Sequence, residues 1–124
     1  MIVNATIEST MLGREEHGIF TFFLYVNLGK DIGHCGIGGY ALDMYDTKAK
    51  RRKTSSKSME LIMKIMDVVG VETWEDLPGK YIRVNIEGGW GMRIYEIGNI
   101  IEEKWINFEE FFKNDDDEVS INEN

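Results

Sequence analysis

The stretch Gly18-Ile19-Phe20-Thr21-Phe22-Phe23-Leu24-Tyr25-Val26-Asn27 carries no charge and no internal breaker, and it is dense in aromatic and β-branched residues. Such a run reads as a strand. Because apolar side chains fall on both of its alternating faces, it is expected to be buried on both. A doubly covered strand needs a sheet around it and other elements packed over that sheet, and the rest of the chain supplies candidates. Ile2 to Ser9 alternates roughly as a second strand. Lys80 to Ile86 and Met92 to Gly98 read as a hairpin around Glu87-Gly88-Gly89-Trp90-Gly91. Ile62, Ile65, Met66 and Val69 follow helical spacing, with Ser58 placed to cap the start and Gly70 the end. Met59, Leu61, Met63 and Val68 widen the apolar face of that helix, so it is expected to lie across a sheet. Thr73-Trp74-Glu75-Asp76 reads as one capped turn and Pro78-Gly79 as a reverse turn. Asn107 with Glu110 resembles a capping box opening a short helix that buries Phe108, Phe111 and Phe112. The expected fold is α+β: an antiparallel sheet packed by one main helix, Met59 to Val69, and a short C-terminal helix.

At 124 residues and 43% hydrophobic content, the chain is expected to form one ligand-binding domain over residues 1–113. Residues 114–124, with Asp115, Asp116, Asp117, Glu118 and Glu123, are expected to be an acidic, disordered tail. The N-terminus shows no basic segment followed by an apolar run, and no apolar stretch approaches the ~18 residues of a membrane span, so a soluble, cytoplasmic protein is expected. Cys35 is the only cysteine, which excludes an intrachain disulfide and fits a buried apolar role better than a reactive thiol.

Charge is segregated. Lys48, Lys50, Arg51, Arg52, Lys53 and Lys57 fall within ten positions of a chain whose formal charge is −8, and the remaining 8 cations face 22 carboxylates. One cationic segment in an otherwise acidic protein suits capture of a small, multiply charged anion, whereas a long nucleic acid calls for a broad basic face. The competing reading of the segment is a solvated loop, and that of the acidic balance is a decoy that imitates nucleic acid and blocks a protein partner.

Catalytic constellations are weak. Gly36, Gly38 and Gly39 lack the Gly-x-Gly-x-x-Gly spacing ahead of a helix that a dinucleotide loop requires, and the glycine-rich block suggests bulges or close approach of another backbone instead. His17 and His34 have Glu16 and Cys35 as immediate neighbours, not at the spacing of a zinc site, so no metal or cofactor is expected. No nucleophile–base pattern is present locally, and the chain is not expected to be an enzyme. Leu12 to Gly18 reads as a loop of specific shape. In the hairpin, Ile82, Val84 and Ile86 fall on one face, and Tyr81, Arg83 and Asn85 on the other. The second face offers an aromatic plane, a guanidinium and an amide, groups that suit a nucleobase and a phosphate, with Trp90 and Arg93 near by; the alternative is a solvent face with an ordinary ion pair such as Arg83 with Glu96.

Four blocks in order, Thr6 to Gly13, Glu16-His17-Gly18-Ile19-Phe20-Thr21, Gly38-Gly39-Tyr40-Ala41-Leu42-Asp43 and Trp74 to Val84, followed by Ile97-Gly98-Asn99-Ile100-Ile101 and Lys104-Trp105, resemble the first-described Thoeris anti-defence family of phage proteins. The resemblance runs from about Ile2 to Phe112. It implies a non-enzymatic sponge, acting in the cytoplasm of an infected host cell, that sequesters a cyclic ADP-ribose isomer and, in some members, cyclic oligonucleotides. It further implies even-numbered homo-oligomers with ligand held near subunit contacts. By position, it points to Glu16 and His17, to Tyr81 in its strand, and to the turn from Trp90 through Met92 to Arg93. The polar hairpin face adds Arg83, and the basic segment adds Arg51, Arg52 and Lys57 as a candidate second site for phosphates. The chain departs from the family pattern in being less glycine-rich over Leu28 to Cys35 and richer in cations over Lys48 to Lys57, which leaves ligand preference open.

Overall fold

The computed structural model describes residues 1–87 and 93–113. A six-stranded antiparallel sheet has the order β3-β2-β1-β6-β7-β8, built from β1 (Ile2–Arg14), β2 (Phe20–Asn27), β3 (His34–Gly38), β6 (Tyr81–Glu87), β7 (Arg93–Asn99) and β8 (Trp105–Asn107). A separate hairpin joins β4 (Asp43–Asp46) to β5 (Arg51–Thr54). The main helix, α1 (Ser56–Val69), packs on β7 and β8, and residues 108–113 form the short second helix, α2. The expected α+β architecture is therefore present, and strand dominates it. β3 also approaches β7 although three strands separate them in the sheet, so the sheet is strongly curled.

The core fills the inside of that curl. Ile7, Phe22, Leu24, Ile82, Val84 and Ile97 from the sheet meet Leu61, Ile65 and Val68 from α1, with Leu77 and Phe108 closing the ends. Alternation in β6 holds as read: Ile82, Val84 and Ile86 are buried while Tyr81, Arg83 and Asn85 face outward. β2 differs from expectation. Phe22, Leu24 and Val26 are fully buried, but on the opposite face Phe23 is half-buried and Tyr25 is 41% exposed, because among the described residues only one face of the sheet is covered by helix. Phe23 and Tyr25 instead stack on each other, centroids 5.7 Å apart.

β1 is longer than its alternation suggests. A bulge between Ile7 and Ser9 breaks the parity, and the strand then continues to Arg14, which pairs with Phe20. The expected Leu12 to Gly18 loop shrinks to a turn in which the Gly18 amide donates to the Glu15 carbonyl at 2.8 Å, Gly18 adopting φ +83°. At the bulge, the Ile7 amide donates to the Lys80 carbonyl and the Gly79 amide to the Ile7 carbonyl, which clamps the Leu77-Pro78-Gly79-Lys80 turn onto the sheet. The glycine-rich block does mark a close backbone approach: a Cβ on Gly38 would lie 2.4 Å from the Phe22 carbonyl oxygen.

The helix starts earlier than read. Ser55, not Ser58, is the cap: its hydroxyl accepts from the Ser58 amide at 3.2 Å, and Ser58 itself is buried in the first turn. Gly70 ends the helix in the left-handed region, its amide bonded to the Met66 carbonyl. Of the residues that widen the apolar face, Leu61 and Val68 are buried, whereas Met59 and Met63 are more than half exposed. Trp74–Asp76 is a 3-10 turn without a side-chain bond from Thr73. Asn107 does cap α2, accepting from the Glu110 amide at 3.1 Å.

Candidate functional site

The basic segment is not a loop. Arg51 to Thr54 form β5, paired with Asp43 to Asp46, so the cations share a hairpin with two acids that the linear charge count places outside the segment, Arg51 lying opposite Asp46 in register. Arg52 donates from Nε to Asp43 Oδ2 and from Nη2 to Asp43 Oδ1, both at 2.8 Å, and from Nη2 to the Asp43 carbonyl at 3.1 Å. Asp43 is buried, and it also accepts from the Phe20 amide at 3.1 Å, which ties the hairpin to the start of β2. The Arg52 hydrogen bonds hold the Asp43 carboxyl below the usual carboxylate range, helped by the Phe20 amide and the field of Arg14. Arg52 is reciprocally raised, by Asp43 first and by Glu15 to a lesser degree. Lys53 pairs with Asp46 at 3.2 Å.

This arrangement opens a cleft of about 530 Å³ between the ends of β1 and β2, the β4–β5 hairpin and the first turns of α1. Its lining is Arg14, Phe20, Asp43, Arg51, Arg52, Lys53, Thr54 and Met59. Arg14 and Arg51 are exposed, and neither is in an ion pair among the described residues. Asp43 takes the Nε–Nη2 edge of the Arg52 guanidinium in a two-bonded fork and so fixes its plane in the cleft. Phe20 and Met59 give an apolar wall against these cations. The volume falls within the range of small-molecule sites, ~300–1,000 Å³.

The turn carrying Glu16 and His17 follows directly on Arg14 in the chain, and neither residue lines the cleft. It is organised by Glu15, whose Oε1 accepts from the amides of His17 at 2.6 Å and Ile19 at 3.2 Å, while Oε2 lies 3.0 Å from His17 Nδ1. The His17 side-chain bond is the main cause of a lowered Glu15 pKa. Glu15 and Arg14 were missed in the sequence because the bulge ended the recognisable alternation before them. Asp43 was also missed; its signal was a lone acid between Leu42 and Met44, nine residues before Arg52.

The other sequence-derived residues lie elsewhere. Arg93 donates to Glu109 at 2.8 Å beside a groove of about 420 Å³ lined by Tyr40, Ala41, Glu109, Phe112 and Lys113. Lys57 sits 4.8 Å over the Phe111 ring in the same neighbourhood. Tyr81 is 62% exposed and pairs in register with Thr6, eight residues along β1 from Arg14. Arg83 donates from Nε to the Asn99 carbonyl at 2.7 Å and from Nη2 to the Glu102 carbonyl at 2.8 Å, pairs with Glu103 at 2.9 Å, and stacks 4.8 Å from the Trp105 ring centroid. The ion pair that the alternative reading offered for Arg83 is present with Glu103 in place of Glu96: Arg83 lies opposite Gly98, and Glu96 accepts from Asn85 at 3.2 Å. Gly98 leaves room for the indole, since a Cβ there would come within 2.5 Å of Trp105. Cys35 is half-buried, and burial pushes its thiol pKa up, away from reactivity. Trp90, Met92 and the acidic residues 114–124 lie outside the described residues. Among the described residues, no helix is long and apolar enough to cross a membrane.

The structure therefore brings Arg51 and Arg52 together with Arg14, while Glu16, His17, Tyr81, Arg83, Arg93 and Lys57 are not among the residues that line the cleft. Comparison with family models, curated proteins and solved structures finds no match to the chain.

Proposed function

We propose that the protein is a sponge: it binds a small anionic nucleotide of the cyclic ADP-ribose type in the cleft beside β5 and holds it without making or breaking a bond. The observation that carries this reading is the convergence of Arg14, Arg51 and Arg52 from two separate parts of the chain onto a wall of Phe20 and Met59. Paired guanidiniums match the oxygens of a pyrophosphate, and an aromatic ring with a thioether gives a base or ribose an apolar surface. Sequestration needs nothing further from the site, since its strength comes from charge-assisted bonds and a pre-organised pocket. The family resemblance supplies the ligand class, the cyclic oligonucleotide as a second candidate, and assembly into even-numbered homo-oligomers; the half-covered β2 face and the exposed Met59 and Met63 suit such assembly.

Calorimetric titration against a panel of cyclic nucleotides, followed by heat denaturation and chromatography of the supernatant, tests the proposal. A sponge returns the nucleotide intact. A new product would make the protein an enzyme, and failure to deplete any nucleotide would favour the decoy that blocks a protein partner.

A further inference from the structure

We infer that Asp43 is the positioning residue of this cleft: it latches the β4–β5 hairpin, as a movable arm, against the body of the protein, and anion affinity depends on the latch although Asp43 carries the wrong charge to touch an anion. The inference rests on the cleft being an anion site, and three observations carry it. The first is how the cleft is divided. Arg14, Phe20 and Met59 line it from the sheet and from α1, whereas Arg51, Arg52, Lys53 and Thr54 line it from the hairpin. Its shape is therefore set by where the hairpin stands.

The second is how little holds the hairpin there. β4 and β5 pack chiefly on each other, and of residues 43–54 Asp43 alone is buried. Met44 is 77% exposed and Tyr45 57%, so no apolar side chain of the arm anchors it in the core. A two-stranded hairpin without such packing is marginally stable in water. Its two ends, in contrast, are fixed: Leu42 is buried with its amide donating to the Phe20 carbonyl at 2.7 Å, and Ser55 caps α1. The third is the latch. Asp43 Oδ1 accepts from the Phe20 amide on the body at 3.1 Å and from Arg52 Nη2 on the arm at 2.8 Å, while Oδ2 accepts from Arg52 Nε. One carboxylate thus joins β2 to β5. The Thr54 hydroxyl adds one uncharged bond at the same root, to the Leu42 carbonyl at 2.8 Å. When the latch lets go, the arm swings away, Arg51 and Arg52 part from Arg14, and the fraction of protein competent to bind falls.

The test uses ADP-ribose as the probe and two variants of the full-length chain, Asp43→Asn and Thr54→Val, the second of which alters no charge. Amide hydrogen exchange without ligand is followed for Phe20 and for β4 and β5, with Val84 in β6 as the reporter of global unfolding. The parent's Phe20 and arm amides should exchange by a local opening with a shallower urea dependence than Val84, and both variants should speed that exchange about tenfold or more. Both should also weaken ADP-ribose about threefold or more. Simple electrostatics predicts otherwise: removing the Asp43 charge tightens an anion, and Thr54→Val changes nothing. Arm amides that exchange only with Val84 would overturn the latch whether or not ADP-ribose binds. Faster arm exchange with tighter or unchanged binding would overturn the positioning role. The predicted exchange in a protein that binds no ADP-ribose in any form would support the latch and overturn the nucleotide reading instead.

Discussion

Two outward-facing regions combine arginine with aromatic side chains, and they use the arginine in opposite ways. On β6 and β7, Arg83 is consumed: two backbone carbonyls, a carboxylate and the Trp105 ring hold it, and it in turn fixes the 99–105 segment that Asn99 ties to the end of α1 by donating to the Val68 carbonyl. At the β4–β5 hairpin, Asp43 takes only part of Arg52, and Arg14 and Arg51 line a cleft with no ion pair among the described residues. A cation beside an aromatic is therefore weak evidence for a ligand site until the owners of its donors are known. When backbone carbonyls own them, the residue is part of the fold.

The sharpest way to break this contrast is to remove each arginine. Arg83→Ala should cost about 2–3 kcal/mol of stability, since it strips charged hydrogen bonds and a cation–π contact from a mostly buried side chain. Binding of a cleft ligand should persist in whatever fraction remains folded. Urea melts and a titration read this directly, and an Arg83→Ala protein of native stability with lost binding would move the site to the hairpin face. The converse pair, Arg14→Ala with Arg51→Ala, should leave the melt within about 0.5 kcal/mol of the parent but weaken an anionic nucleotide roughly tenfold. Tyr81→Ala sharpens the same point: a ring stacked on a base would lose about 1–3 kcal/mol of binding on truncation, whereas the position of Tyr81 away from the cleft predicts an unchanged isotherm.

The Asp43–Arg52 pair gives a pH test. The carboxyl is held below its unfolded value, so the stabilisation is complete above about pH 4 and is lost as pH falls through the folded pKa. The stability gap between the parent and Asp43→Asn should stay constant from about pH 5 to 8 and narrow below about pH 4 in urea melts. A gap that widens with acid would reverse the assignment. The smallest expected effect is at Lys50, which closes the hairpin at φ +57° with its amide bonded to the Asp46 carbonyl at 2.8 Å. Lys50→Gly should raise stability by up to about 1 kcal/mol without touching the cleft lining.

What was legible in the sequence follows from how local its cause is. Alternation at Ile82, Val84 and Ile86 and the Gly70 stop depend on neighbours a few residues away, and both hold. The partner of Arg83 depends on strand register and on a segment sixteen or more residues distant, so Glu103 could not be read in place of Glu96. Thr54-Ser55-Ser56-Lys57-Ser58 offers several hydroxyls, and only the extended backbone at Ser55, φ −123° and ψ 162°, decides which one caps. Arg14 was hidden by a bulge that interrupts the alternation at Glu8. The cleft itself was half visible: its cations stood out as a run, but the acids opposite them and the Phe20–Met59 wall come from pairing and packing.

The most direct test of the account is a calorimetric titration of a cyclic ADP-ribose isomer into the parent and into the Arg14→Ala, Arg51→Ala double variant, with the ligand then released by heat and chromatographed. The account predicts saturable binding by the parent, roughly tenfold weaker binding by the folded variant, and recovery of the nucleotide unchanged. Equal affinity in the two proteins, or recovery of a product, would contradict it.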